Sequence, residues 1–258
     1  MMFIAQIFLI CYYLGNINER SEGKSMKKIL VVGDSISKGV VFDEIKNKYV
    51  LLKENFINLI SEKTNAQIIN ASKFGSTIKQ GEIVLKSKFE KHNPDIVVIE
   101  LGGNDCDFTW DEVANHPEVD HKPKIPLLQF EKGINRMLDF ILSRGKIPVL
   151  ATLPPLYADN YFRWFTQSDE EKGRKVLKWL KDIWRIYWWQ ERYSNCIQFI
   201  SKKRNVKCID VRRAFLSRKE FDDCVCIDGI HLNREGHKVV FEEVFSFMKE
   251  NAAYLLKQ

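Results

Sequence analysis

Many of the patterns that would announce a function are missing from this sequence. It has no G-x-x-x-x-G-K-[ST] run and no G-x-G-x-x-G, so neither glycine loop that cradles nucleotide phosphates has support. Its 6 cysteines show no framework spacing, and a chain of this size does not need one, so they read as reduced thiols. Cys224 and Cys226 form a lone C-x-C pair, too little for a metal site; no metal and no organic cofactor is expected. Neither sign of charge dominates. The excess is +6, with bases scattered among acids, which excludes the basic patch of a nucleic-acid binder. Internal repeats and low-complexity segments are absent, which leaves one large core and one domain.

Long hydrophobic runs are missing too. Met1 to Leu14, apolar except for Gln6, falls short of the roughly 20 residues of a spanning helix. It also lacks the basic start and small-residue cleavage site of a secretory signal. Met26-Lys27-Lys28 directly precedes a β-branched run and reads as a natural start. Residues 1–25 are therefore read as an N-terminal extension or a mis-assigned start, and 26–258 as the domain. That reading makes the protein cytoplasmic, with a secreted or anchored one as the competing reading.

From Lys28 onward, short apolar runs alternate with longer amphipathic ones. Strands are expected at Ile29–Val32, Gln67–Asn70, Asp95–Leu101, Ile147–Thr152 and Asn205–Ile209. Helices are expected over Tyr49–Lys63, Thr77–His92, Leu127–Arg144 and Arg234–Leu256. Ser168–Arg204 reads as a long helical stretch bent near Ser194, and Trp110–Pro126, with three prolines, as a long irregular loop. The rhythm implies βαβ units and a flavodoxin-like three-layer α/β/α sandwich with a five-stranded parallel sheet. In such sheets ligands bind outside the carboxyl ends of the strands.

The segments at that edge are Gly33-Asp34-Ser35-Ile36-Ser37, Asn70-Ala71-Ser72-Lys73-Phe74-Gly75-Ser76, Gly102-Gly103-Asn104-Asp105 and, before the last helix, Asp228-Gly229-Ile230-His231. A serine hydroxyl needs a base within hydrogen-bond reach, and His231 is the candidate for Ser35. Asp228, three residues earlier, can fix the imidazole tautomer. Taken singly, Ser35 reads as a helix cap, Gly75 as a turn glycine, Asn104 as a loop residue and Asp228–His231 as a surface pair. Ser37 reads as a cap and His237 as packed or capping, while His92, His116 and His121 lack a neighbouring nucleophile. Gly33-x-Ser35-x-Ser37 is not a G-x-S-x-G elbow.

Together, in this order, the four segments resemble the blocks of the SGNH (GDSL-like) hydrolase superfamily over Ile29 to about Phe247. The resemblance implies a serine ester hydrolase with Ser35, Asp228 and His231 catalytic. It assigns the oxyanion donors to the backbone N–H groups of Ser35 and Gly75 and the side-chain amide of Asn104. The substrate it implies is a small ester, an acyl or acetyl ester of a carbohydrate or lipid-like alcohol. An acyltransferase using the same acyl-serine, or a catalytically silent binding module, are the alternatives. The sequence departs from the family at Ile36, where Leu or Tyr is usual, and in its longer Trp110–Pro126 loop.

By the edge rule, Tyr157, Tyr161, Trp164 and Trp110 are the candidate substrate-binding residues, and Arg163 a candidate for an anionic group. Trp179, Trp184, Trp188 and Trp189 lie among Lys178, Lys181 and Arg185. They read as a core-facing stripe with a solvated basic face, so membrane contact is not expected.

Overall fold

In the computed structural model, which describes residues 26–257, β1 (Lys28–Gly33) sends Leu30 and Val32 into one core and Ile29 and Val31 into another. An uninterrupted β-branched run requires this, because a strand covered on both faces has no solvent side. After β1 come the short α1 (Ser35–Lys38), β2 (Val40–Asp43), β3 (Lys48–Leu51), α2 (Phe56–Lys63) and β4 (Gln67–Asn70). Then follow α3 (Ile78–His92), β5 (Ile96–Glu100), α4 (Trp110–Asn115), α5 (Leu127–Leu142) and β6 (Ile147–Ala151). The chain continues through α6 (Ala158–Thr166), α7 (Glu170–Leu180), α8 (Trp184–Arg204), β7 (Lys207–Ile209), α9 (Val211–Leu216) and α10 (Arg234–Asn251).

Five strands form one sheet in the order β4-β1-β5-β6-β7, every neighbouring pair parallel. Helices α3, α5 and α8 pack on one face around Leu85, Phe130, Leu138 and Tyr193. Helices α2 and α10 pack on the other around Phe56, Ile60, Val240 and Met248. This is the expected three-layer sandwich, and its strand order reverses between β1 and β5. A third cluster, built from α4, α6, α7 and the start of α8, gathers Phe108, Trp110, Tyr161, Val176 and Ile186 beside that edge. The proposed extension or mis-assigned start at 1–25 lies outside the described residues.

Several expectations are corrected. The Tyr49–Lys63 helix exists only from Phe56; Tyr49 and Val50 belong to β3, which pairs antiparallel with β2 in a hairpin. Asn47 turns that hairpin with φ +49°, and the Asn55 side chain accepts the Asn58 N–H to start α2. The break in the 168–204 stretch falls at Lys181, with φ +73°, while Ser194 is buried inside the uninterrupted α8. The Trp110–Pro126 segment opens with helix α4, whose Trp110 and Val113 are buried. The tryptophan stripe is split: Trp179 and Trp189 pack edge-on against Phe108, while Trp184 and Trp188 are exposed. The last helix ends at Asn251, short of Leu256, and a 3-10 turn follows it. Among the described residues, no helix is long and apolar enough to cross a membrane.

Candidate active site

Strand β1 delivers Ser35 to the carboxyl edge at the first residue of α1, where one hydrogen bond closes a separation of 196 positions in sequence. Ser35 Oγ lies 2.9 Å from His231 Nε2, and His231 Nδ1 lies 2.6 Å from Asp228 Oδ2. With Nδ1 carrying the proton toward the carboxylate, Nε2 is left to accept the serine hydroxyl's proton. Asp228 Oδ1 accepts the backbone N–H groups of Ile230 (3.1 Å) and His231 (3.0 Å), so the carboxylate is fixed by the turn it sits in. Burial by itself would raise Asp228. The bond from His231, the attraction of the imidazole's positive form and the two backbone donors outweigh it, holding the carboxyl below its usual range. Gly229, at φ +74°, makes this turn possible: a Cβ there would lie 2.5 Å from the Tyr157 carbonyl oxygen and the Tyr161 nitrogen.

Helix α1 has four residues, too few for the macrodipole support that a longer helix would lend Ser35. What the turn supplies is local. Asp34 is the cap, accepting the Ile36 N–H at 2.9 Å, and the Ser35 N–H has no partner among the described residues. The Gly75 N–H is likewise unbonded among the described residues, at a turn with φ +72° and open space where a Cβ would stand. The Asn104 amide donates to Asp34 Oδ2 (3.3 Å) and to the Ser76 carbonyl (3.2 Å), tying three of the motif loops together. Asp105, next in the chain, accepts the Ile78 N–H at 2.9 Å and so pins the start of α3 to the Asn104 loop; burial pushes its pKa to about 7.

Beneath the Ser35 turn lies a second acidic group. Glu100, the last residue of β5, accepts the Ser37 hydroxyl at 2.9 Å, so Ser37 is a donor to a buried acid rather than a cap. Burial, then the nearby charge of Asp34, push Glu100 well above the usual carboxylate range. Burial also raises Asp34 to about 6, against the lowering bonds from Ile36 and Asn104. His237 is buried against Phe56 and its ring nitrogens have no partner among the described residues; burial and then His231 lower its pKa to about 4. It packs, as expected.

A cavity of about 80 Å³ opens beside Ser35, Asn104 and His231, walled by Trp110, Tyr161, Leu180, Ile186, Trp189 and Arg185. Trp110 and Tyr161 are held in place by Asp107, whose Oδ1 accepts the indole N–H at 2.9 Å and the phenol at 2.7 Å. The other two aromatic candidates stand elsewhere. Tyr157 is turned toward Phe221, its N–H donated to the Gly229 carbonyl. Trp164 packs edge-on against Phe42 of the hairpin at 4.7 Å. Arg163 donates to Asn160. Two residues near Ser35, His231 and Asp228 escaped the sequence reading. Glu100 had a signal, a charge closing an otherwise apolar strand. Tyr49, whose hydroxyl donates to Asp228 Oδ2 at 3.0 Å across 179 positions, had none.

Known proteins share this arrangement of elements. The model of the GDSL-like lipase/acylhydrolase family matches residues 31–239. Among curated proteins, a GDSL esterase/lipase of Oryza sativa subsp. japonica is 26% identical over 159 residues, 61% of this chain and 54% of that protein. An arylesterase of Vibrio mimicus is 28% identical over 144 residues, 55% of this chain and 63% of that protein. The matches thus span little more than half the length of these relatives. In architecture, a lipase/acylhydrolase from Enterococcus faecalis superposes with a TM-score of 0.61 at 20% identity, covering 90% of this chain and 98% of that one.

Proposed function

The chain belongs to the GDSL-like lipase/acylhydrolase family, and we propose that it hydrolyses small carboxylic esters through an acyl-serine formed on Ser35. The observation that carries this reading is the unbroken line from Ser35 Oγ through His231 to Asp228. As Ser35 Oγ attacks the ester carbonyl, its proton passes to His231 Nε2, and Asp228 stabilises the imidazolium that results. Negative charge moves to the carbonyl oxygen, where the free N–H groups of Ser35 and Gly75 are available as donors and the Asn104 amide joins them by releasing one of its bonds to Asp34 or Ser76. Collapse of the intermediate returns the proton from His231 to the departing alkoxide, leaving an acyl-serine and a free alcohol. Water then attacks with His231 again as base, releasing the acid and restoring Ser35.

The cavity supports a short acyl group. At about 80 Å³ it is well below the roughly 300–1,000 Å³ of pockets for drug-sized ligands, and its aromatic walls fit an apolar or ring-bearing ester. The arylesterase relative makes phenyl acetate a suitable first substrate beside sugar acetates. The test is a fluorophosphonate probe together with nitrophenyl esters of graded acyl length. Labelling should fall on Ser35, activity should decline from acetate to octanoate, and Ser35→Ala should lose roughly three orders of magnitude or more in kcat. Labelling at Ser37 or Ser76 would overturn the reading.

A further inference from the structure

The β2–β3 hairpin leaves the sheet immediately after the nucleophile turn and returns an aromatic side chain to the dyad. Tyr49 pairs with Phe42 across the hairpin, and the Phe42 N–H is donated to Cys226 Sγ at 3.4 Å, which ties the hairpin to the loop carrying Asp228. The Tyr49 ring lies 4.9 Å from the His231 ring and 5.5 Å from Phe74, which itself stacks on His231 at 5.7 Å. Its hydroxyl reaches Asp228 Oδ2, the same oxygen that His231 Nδ1 uses. Asp228 Oδ1 is already occupied by two backbone donors, so Tyr49 completes the carboxylate's set.

We propose that Tyr49 is a positioning residue of this site: it shares Asp228 Oδ2 with His231, and by drawing off part of that oxygen's negative charge it limits how strongly the carboxylate stabilises the imidazolium. The proposal rests on the dyad reading above. A donor on a carboxylate favours its charged form and weakens its pull on a neighbouring cation. Burial, with the charge of Asp228 behind it, raises Tyr49, so the phenol keeps its proton and remains a donor. The other titratable groups around the dyad are Asp34 on the nucleophile turn, Cys226 before the Asp228 turn and His237 on α10. Of these, Cys226 faces Tyr49 directly, and Asp34 and His237 feel the charge of His231.

Tyr49→Phe keeps the ring and its packing and deletes the donor. The His231 imidazole, followed by NMR in wild type and variant, should titrate about half to one pH unit higher in Tyr49→Phe. His92, whose neighbouring charges are Lys91, Lys88 and Lys28, serves as the internal standard. The acid limb of kcat/KM on nitrophenyl acetate should rise by the same amount. Tyr49→Leu should move the imidazole in the same direction, which guards against a packing artefact of one variant. An imidazole that titrates at the wild-type pH or lower in Tyr49→Phe would overturn the proposal. Because that titration needs no turnover, it separates this failure from a failure of the ester-hydrolase reading, which would appear as a wild-type protein without labelling or activity.

Discussion

Two buried acidic groups flank Ser35, and they are in opposite states. Asp228 is fully buried, yet four donors converge on it: the N–H groups of Ile230 and His231, the His231 ring and the Tyr49 hydroxyl. It stays ionised. Glu100 is nearly as buried and has the Ser37 hydroxyl, a long 3.5 Å contact from the Asp34 N–H, and another acid beside it. It is pushed toward its neutral form. Burial raises both carboxyls, so what separates them is chiefly the number of donors and the sign of the neighbouring charge. In the proposed reaction one carboxyl acts as a charge; the other serves the turn as a hydrogen-bonding wedge under Gly33, where a Cβ would stand 2.9 Å from Glu100 Oε2.

Replacing each acid by its amide tests that contrast, and the larger effect belongs to Asp228. Asp228→Asn should lower kcat by about three orders of magnitude or more, because the amide can present an N–H to His231 and favour the tautomer that cannot accept the serine proton. Thermal stability near neutral pH should fall as well, since the two backbone donors lose a charged acceptor. Steady-state kinetics on one chromogenic ester, with melting curves beside them, checks both. Turnover within tenfold of wild type would place the charge requirement elsewhere.

Only the Asp228 half of this contrast was legible in the sequence, and the limits are physical. Ile29-Leu30-Val31-Val32 and Ile96-Val97-Val98-Ile99 leave a helix little support, because β-branched side chains crowd the preceding turn. The four edge segments follow from the rule that parallel strands end where ligands bind. The hairpin did not follow. Val50, Leu51, Phe56, Leu59 and Ile60 fit a helical period as well as they fit a short strand plus a short helix. Only the pairing of Val41 with Val50 and the cap at Asn55 decide between them. The aromatic wall was half legible: Trp110 and Tyr161 line the cavity, whereas Tyr157 packs toward Phe221 and Trp164 against Phe42. A residue such as Tyr49 is set by contacts 179 positions apart, and no window along the chain contains them.

An intermediate effect is expected on the amide side of the site, where Asn104 bonds Asp34, the acid beside Glu100. Asn104→Ala should lower kcat by about a hundred- to a thousandfold with little change in KM, because the amide is needed once charge reaches the carbonyl oxygen. The same substitution removes a bond that lowers Asp34, so the Asp34 pKa should rise above about 6. A rise in KM with kcat unchanged would make Asn104 a ground-state binding residue and detach it from the oxyanion.

The smallest catalytic effect is expected at Glu100, and there stability carries the signal. Glu100→Gln keeps an acceptor for Ser37 and removes a carboxyl that folding pushes well above its ordinary value near 4.5. In the wild type, the folded state holds a proton that the unfolded chain gives up once the pH exceeds about 4.5. The stability this contributes is complete below that pH and is lost as pH rises through the folded value. An amide does not titrate, so the Glu100→Gln variant should escape the loss. Turnover should stay within about threefold of wild type, while the variant's Tm relative to wild type should climb steadily between pH 5 and pH 8. Asp228 acts in the opposite direction: its lowered pKa stabilises above the usual carboxylate range and is lost only as pH falls through the folded value, so its window lies below about pH 4. Melting curves at pH 3, 5, 6.5 and 8 therefore separate the two acids within one protein. A Tm difference between Glu100→Gln and wild type that is flat from pH 5 to 8 would mean that Glu100 does not titrate there, and the contrast between the two acids would fail at its buried end.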